Sequence, residues 1–423
     1  MRVVAITVHA DLHSVGEGYA AAKLLQALSS MVDLTVLNLD GNGKIPLAEQ
    51  LPYANVIGFP EPAFMSNRFE RLNAMLVPYF PVFVRKCLAW LRTYQESNLN
   101  FELVHQMLPY AARYALPFQR IDNPYIIGPL AGSLATPSGF ENDFGPVPWY
   151  TRLRKLDQFR FCYDPFLRRT FQCASEVLLA APYMKDVLQP LPIENSWVLM
   201  PWAHEGLKPR PSRSGEAGVL RLLHVGRVVR TKGLRDTIRA LAHLNDLPSV
   251  TLVSAGAGPD LERCKVEVEN LGLSERVSFL GHVPRKEIER LYREADAFCF
   301  PSFREPLGHV VFEAMAQRLP VITTDRGGPN NTVNDTCGFR VSVEHPQSFS
   351  RDIASAIRKL ATDPKLRITM GTAAFQRVKS FGTWDDRARE LVQVYERILK
   401  QGNSADQSTP PNRATYQRCS QVE

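Results

Sequence analysis

The sequence predicts an α/β protein made of two doubly wound, Rossmann-like halves, each built on a parallel sheet. Three observations predict it: short β-branched apolar runs alternate with helix-length periodic segments, the alternation restarts near residue 219, and glycine-rich turns follow the strand runs. Residues 3–8, Val-Val-Ala-Ile-Thr-Val, read as a buried opening strand and not as a signal peptide. Runs at 34–37, 55–58, 103–105, 125–128 and 177–180 follow as parallel strands, with helical patterns such as 20–29 between them. Residues 205–218 are polar and rich in Pro, Gly and Ser, which is linker composition. The second half then runs through 220–226, 250–255, 277–280, 297–301 and 321–323, and helices at 346–362 and 384–401 close the fold. The expected domains are 1–204 and 219–383, with 384–401 packing back on the first. Residues 402–423 are polar, poor in aliphatics and expected to be disordered.

Composition narrows the function classes. With 423 residues and 45% apolar content the chain can form two ordinary packed cores. A net charge of +7 favours anionic partners, yet 43 acidic residues are interspersed among the 50 basic ones, so no nucleic-acid stripe forms. The seven cysteines form no C-x-x-C pair, which indicates neither a zinc site nor a disulfide framework and suggests a reducing compartment. The most apolar stretch, 74–91, is broken by Pro78, Pro81, Arg85 and Lys86, too soon to span a bilayer. Its aromatics Tyr79, Phe80, Phe83 and Trp90 suit a packed core better than a membrane surface.

Glycine placement locates candidate phosphate contacts. Gly16 and Gly18 precede a small-residue helix, where backbone can approach a phosphate or an acceptor closely; a plain tight turn explains them as well. The G-x-G-x-x-G spacing of a nicotinamide site is absent, because Ala21 stands where the third glycine belongs. In the second half Gly226-Arg227 and Lys232-Gly233 follow the first strand, where two fixed cations would neutralise a departing diphosphate; taken as isolated residues, solvated surface charges explain them as well.

The most informative stretch is Phe303-Arg-Glu-Pro-Leu-Gly-His-Val-Val-Phe-Glu-Ala-Met-Ala316. Glu305 lies in a loop, from which it can accept hydrogen bonds from sugar hydroxyls; the N–H groups near Gly308 and His309 and the helix dipole face a diphosphate; Glu313, further into the helix, can accept from a ribose hydroxyl pair. Two unrelated solvated or capping glutamates are the plain alternative. The segment, with the Glu-Ala-Met-Ala helix and the Pro-Val-Ile-Thr-Thr-Asp-Arg-Gly-Gly run at 320–328, resembles the E-x7-E motif of the family-4 retaining glycosyltransferases. The Gly-Arg…Lys-Gly pattern at 226–233 resembles the same family.

That resemblance, strongest over 220–338, implies a GT-B fold and a nucleoside diphosphate sugar as donor substrate, with no separate cofactor. It implies catalytic roles for Arg227, Lys232, Glu305 and His105, and donor binding by Gly16, Gly18, Gly226, Gly308, His309, Val310 and Glu313. The loops at 255–259 and 281–284, the latter with Val283, resemble those around the nucleobase. The usual N-terminal histidine turn is replaced by Tyr125-Ile-Ile-Gly-Pro-Leu-Ala-Gly-Ser133, which is similar to a subgroup with a G-P-x-x-G turn in which a histidine ends the preceding strand. His105 holds that place, either touching sugar or acceptor or serving as a satisfied structural histidine, and Arg113 is a weaker acceptor-side candidate. No Asp-x-Asp pair occurs, so metal-independent transfer is expected. The expected partners are the sugar nucleotide and a glycan, lipid-linked or small hydroxyl acceptor, with no nucleic acid. The expected location is the cytoplasm, extending to peripheral contact with the inner face of the membrane. Two alternatives remain open here: a sugar-nucleotide epimerase or synthase on the same fold, and a binding protein without turnover.

Overall fold

The computed structural model describes residues 1–408 except 42–44, 62–76, 78, 97–100, 115–116, 118–120, 122, 145–155, 208, 210 and 212–214. The chain divides into two compact units: residues 1–133, 148–201 and from 383 onward form unit 1, and 134–147 with 202–382 form unit 2.

Unit 1 holds a seven-stranded sheet in the order β3-β2-β1-β4-β5-β6-β7. Its strands are β1 Arg2–Val8, β2 Asp33–Asp40, β3 Asn55–Pro60, β4 Leu103–Gln106, β5 Tyr125–Leu130, β6 Glu176–Leu179 and β7 Ser196–Val198. All are parallel. Nearly every side chain of β1, β4, β5 and β6 is buried, because helices cover both faces of a parallel sheet; this is why the runs are continuously apolar and not alternating. Helix Phe80–Glu96 buries Phe80, Phe83, Cys87, Leu88 and Leu91, spaced as one helical face, into this core. Full burial of a ring such as Phe83 contributes about 1.5–3 kcal/mol. The described part of 74–91 is therefore mainly packing surface. Helix Glu17–Leu28 packs against the C-terminal helix Trp384–Ser408, which runs on past residue 401; the rest of the tail lies outside the described residues.

Unit 2 carries a six-stranded parallel sheet in the order β10-β9-β8-β11-β12-β13. Its strands are β8 Leu220–Val225, β9 Val250–Ala255, β10 Val277–Gly281, β11 Ala297–Cys299, β12 Val321–Thr324 and β13 Gly338–Val341. In both sheets the strand order reverses beside the first strand, between β1 and β4 and between β8 and β11. Loops leaving the C-terminal ends of such a pair diverge and open a crevice.

Three features depart from the sequence reading. β7 and β13 were not foreseen, being short and carrying exposed or polar positions such as Ser196, Trp197 and Arg340. A single domain boundary at 204 misses the excursion of 134–147, which lies between β5 and β6 in sequence yet belongs to unit 2. Five thiols, at Cys87, Cys162, Cys264, Cys299 and Cys337, are free, whereas Cys173 is disulfide-bonded.

Candidate active site

The loops after β8 and β11 meet at the crevice of unit 2. Close backbone approach requires glycine at two places: a Cβ on Gly256 would lie 1.9 Å from the Gly226 carbonyl oxygen, and one on Gly258 would lie 2.1 Å from that of Val228. The tight turn Arg230–Lys232 ends at Gly233, whose φ is 78°. Here the two loops are tied together, since the Phe303 N–H donates to the Thr231 carbonyl at 3.1 Å and the Ser302 hydroxyl donates to the same oxygen at 2.9 Å. With those backbones fixed, Lys232 Nζ donates to Glu305 Oε2.

Gly308, at φ 83°, caps helix His309–Ala316, and its N–H donates to Glu305 Oε1 at 3.0 Å. Burial pushes the Glu305 carboxyl up, but the Lys232 charge and hydrogen bond, helped by the Gly308 N–H, outweigh it and hold the group ionised below its ordinary range. Among the described residues the N–H groups of His309 and Val310 donate to no protein acceptor, so the helix start presents free donors beside the pair. Arg227 is exposed and has no carboxylate partner among the described residues. One carboxylate, the Lys232 cation and free N–H donors thus converge: a hydroxyl-bearing group and an anion can be held side by side.

Glu313 faces a different neighbourhood. Its Oε1 accepts from Arg285 Nη1 at 2.8 Å and its Oε2 from the Tyr292 hydroxyl at 3.2 Å. Burial raises its pKa, against the opposing pull of Arg285. Arg285 opens the helix that follows Val283 and the 281–284 loop, so nucleobase loop and ribose carboxylate candidates are linked directly. Sequence reasoning missed Arg285, Tyr292 and also Trp202, whose ring meets His309 edge-on with centroids 6.3 Å apart. Trp202 Nε1 and His309 Nε2 are buried without a protein partner among the described residues, two polar atoms available to a ligand. Arg285 stands next to the Gly-His-Val-Pro turn and was visible there; nothing in sequence tied Trp202 to the site.

The expected residues of unit 1 behave differently. His105 is fully buried, with Nδ1 2.6 Å from the Tyr395 hydroxyl and Nε2 2.7 Å from the Gly128 carbonyl. Burial, only partly opposed by the Gly128 bond, lowers its pKa to about 4. Both nitrogens are occupied, so the expected contact with sugar or acceptor is corrected to the structural alternative: His105 joins β4 to β5 and the C-terminal helix. Arg113 is likewise committed, to Asp157 at 2.8 Å. Gly16 adopts φ 69° at the helix start with open space around it, whereas a Cβ on Gly18 would lie 2.6 Å from the His9 carbonyl, a packing reason for glycine there.

Among the described residues no three His, Cys, Asp or Glu side chains are grouped to hold a metal ion, and no helix is long and apolar enough to cross a membrane.

Residues 214–377 match the family described as glycosyl transferases group 1. A D-inositol 3-phosphate glycosyltransferase from Corynebacterium jeikeium is 36% identical over 191 residues, 43% of this chain and 44% of that one. The chain spans about half the length of the curated relatives it matches. Two solved structures extend the likeness over almost the whole chain. Sucrose-phosphate synthase from Thermosynechococcus elongatus has a TM-score of 0.70 at 21% identity, covering 95% of this chain and 100% of that one. HepE from Anabaena in complex with UDP has a TM-score of 0.63 at 18% identity, covering 94% and 100%. The fold is therefore GT-B: two parallel-sheet, Rossmann-like α/β domains.

Proposed function

We propose that this chain is a retaining glycosyltransferase of the family-4 type that moves a sugar from a nucleoside diphosphate to a hydroxyl acceptor, in polysaccharide or lipid-linked glycan assembly. The observation that carries the reading is the Lys232–Glu305 pair at the β8/β11 crevice, set against the free N–H groups that start helix His309–Ala316. The group 1 match over 214–377 covers all of these residues.

In this mechanism Lys232, Arg227 and the N–H groups of His309 and Val310 receive the charge that develops on the diphosphate as the anomeric carbon–oxygen bond breaks. The bonding pair leaves on the phosphate oxygen. The acceptor hydroxyl attacks from the same face, and its proton passes to that departing oxygen, which conserves the anomeric configuration without a covalent enzyme intermediate. Glu305, held ionised, accepts from hydroxyls of the transferred sugar; Glu313 and Arg285 hold the ribose. Charge compensation by fixed cations makes the transfer metal-independent in this proposal, so activity should survive chelation by EDTA.

Incubating the protein with UDP-, GDP- and ADP-sugars and candidate acceptors tests the proposal through release of free nucleoside diphosphate, with the product anomer read by NMR. Tight donor binding with no release in any combination would identify a binding protein; an inverted anomer would remove the same-face step.

The proposal includes peripheral contact with the cytoplasmic membrane surface, supported by one patch. Phe159 is 62% exposed, Tyr163 69% and Phe166 75%, around the turn between helices Leu156–Tyr163 and Pro165–Gln172. The rings of Phe159 and Tyr163 lie 4.9 Å apart; of the arginines near them in sequence, Arg160 is paired with Asp164 and Arg168 donates to the Phe161 and Pro190 carbonyls while keeping its charge. Aromatic side chains beside cations suit the interface of an anionic bilayer. Co-sedimentation with anionic but not zwitterionic vesicles, lost in a Phe159→Ser/Phe166→Ser variant, is the expected result.

A further inference from the structure

We propose that residues 134–144 are a clasp that positions the Lys232–Glu305 pair, with Phe140 and Asp143 as positioning residues; the inference rests on reading that pair as transfer machinery. The clasp is part of unit 2 although its sequence neighbours on both sides belong to unit 1.

Its grip is specific. Phe140 is fully buried within the unit 2 core, its ring 4.7 Å from that of Phe303 and 5.6 Å from that of Phe349. Gly139 leaves no room for a side chain, because a Cβ there would lie 2.2 Å from the Glu344 carbonyl oxygen. Asp143 receives Arg230 Nε at 2.8 Å, Arg239 Nη1 at 3.2 Å and Arg235 Nη1 at 3.4 Å. Burial pushes the Asp143 carboxyl up, but Arg230 and Arg239 hold it ionised, below its ordinary range. The Arg230 guanidinium lies 5.3 Å from the ring centres of both Phe140 and Phe303.

The consequence lies in chain position. Arg230 is two residues before Lys232, and Phe303 is two residues before Glu305. One stacked unit, Phe140–Arg230–Phe303, therefore sits at the root of both functional loops. The start of the clasp holds the other side of the Glu305 loop: Arg304 Nη1 donates to Thr136 Oγ1 at 3.2 Å, and Arg326 Nη2 donates to the Ala135 carbonyl at 3.0 Å. Next to Arg326, the Gly328 N–H donates to the Glu305 carbonyl oxygen at 3.1 Å. Without the clasp, Arg230 would retain Asp236, but the Phe303 ring and the flanks of Glu305 would lose these contacts and the pair its fixed geometry. A small misplacement of catalytic groups is enough to slow the chemical step.

The test compares Asp143→Asn, Asp143→Glu and Phe140→Leu with the parent chain, using turnover at saturating donor, affinity for the free nucleoside diphosphate, and amide hydrogen exchange across 303–308. The clasp predicts that Asp143→Asn and Phe140→Leu lower turnover at least tenfold and speed exchange in 303–308, while diphosphate affinity stays within about threefold; Asp143→Glu should recover most of the turnover. A merely structural role would lower the unfolding midpoint and leave turnover per folded molecule unchanged. Folded Asp143→Asn and Phe140→Leu variants with parent-like exchange in 303–308 overturn the clasp, whatever their activity. If exchange rises but neither these variants nor Lys232→Ala loses turnover, the clasp as a positioning device for transfer also fails, and the reading of the pair fails with it. If Lys232→Ala alone loses turnover, only the clasp is rejected.

Discussion

Replacing Lys232 with alanine separates the electrostatic role of this residue from its structural one. In the parent the ammonium and the Glu305 carboxylate lie mostly out of solvent, at 19% and 12% exposure. Removing the cation leaves Glu305 with the Gly308 N–H as its remaining described donor. Breaking a buried pair costs roughly 3–5 kcal/mol. The pocket is not sealed, and Glu305, already pushed up by burial, can shed its charge by taking a proton, so about 2 kcal/mol is the expected loss. For a domain of this size that lowers the melting midpoint by roughly 4–8 °C. The catalytic loss is separate: one fixed cation at a developing diphosphate is worth about 10²–10³ in turnover, about 2.7–4 kcal/mol. Adding Glu305→Gln to Lys232→Ala should restore most of the midpoint, since no buried charge remains, and none of the turnover. Calorimetry of all three variants, with nucleoside diphosphate release measured well below each midpoint, resolves the two effects. Near-parent turnover in folded Lys232→Ala would refute the mechanism; a double variant that melts lower than Lys232→Ala would refute the account of the pair.

The two glutamates should separate by ligand: Glu313→Gln weakens the free nucleoside diphosphate by about tenfold in calorimetric titration, whereas Glu305→Gln leaves that affinity nearly unchanged and impairs transfer from the intact donor, and the reverse pattern would exchange their roles. His105 and His224 are both buried, and burial is the main cause that lowers each pKa to about 4. Because the unfolded chain takes up protons first, near pH 6.5, their stabilising effect is complete above that pH and is lost as pH falls towards 4; each should cost about 2 kcal/mol by pH 5. Chemical denaturation at pH 7.5 and pH 5 measures the loss, and His105→Gln should shrink it; equal stability at both pH values contradicts the burial argument. Finally, Gly258→Ala places a Cβ 2.1 Å from the Val228 carbonyl oxygen, so it should destabilise unit 2 by more than about 1 kcal/mol, and a parent-like midpoint would show that the β8 and β9 loops part easily.

Local chemistry made much of this molecule legible in the sequence. Parallel strands buried on both faces must be continuously apolar, which is why β1, β4, β8, β9 and β12 stand out, and why short strands with exposed positions, β7 and β13, do not. Glu305, Gly308, His309, Val310 and Glu313 lie within nine consecutive residues, so one loop-to-helix segment reveals them together. Lys232 was recognisable from the glycines around it, because tight turns restrict which residue types fit.

What the sequence could not determine is pairing at a distance. That His105 spends both nitrogens on Tyr395 and Gly128, 290 and 23 residues away, follows from burial beneath the C-terminal helix and from nothing near His105 itself. The same holds for Arg285 on Glu313 and for the assignment of 134–144 to the second unit. Sequence alone determined the parallel strands, the tight glycine turns and the local loop-to-helix segment that groups Glu305, Gly308, His309, Val310 and Glu313. Tertiary structure decided which of those groups remain free for a ligand, because a buried polar atom takes whatever partner the packing brings to it, and chain order does not record that choice.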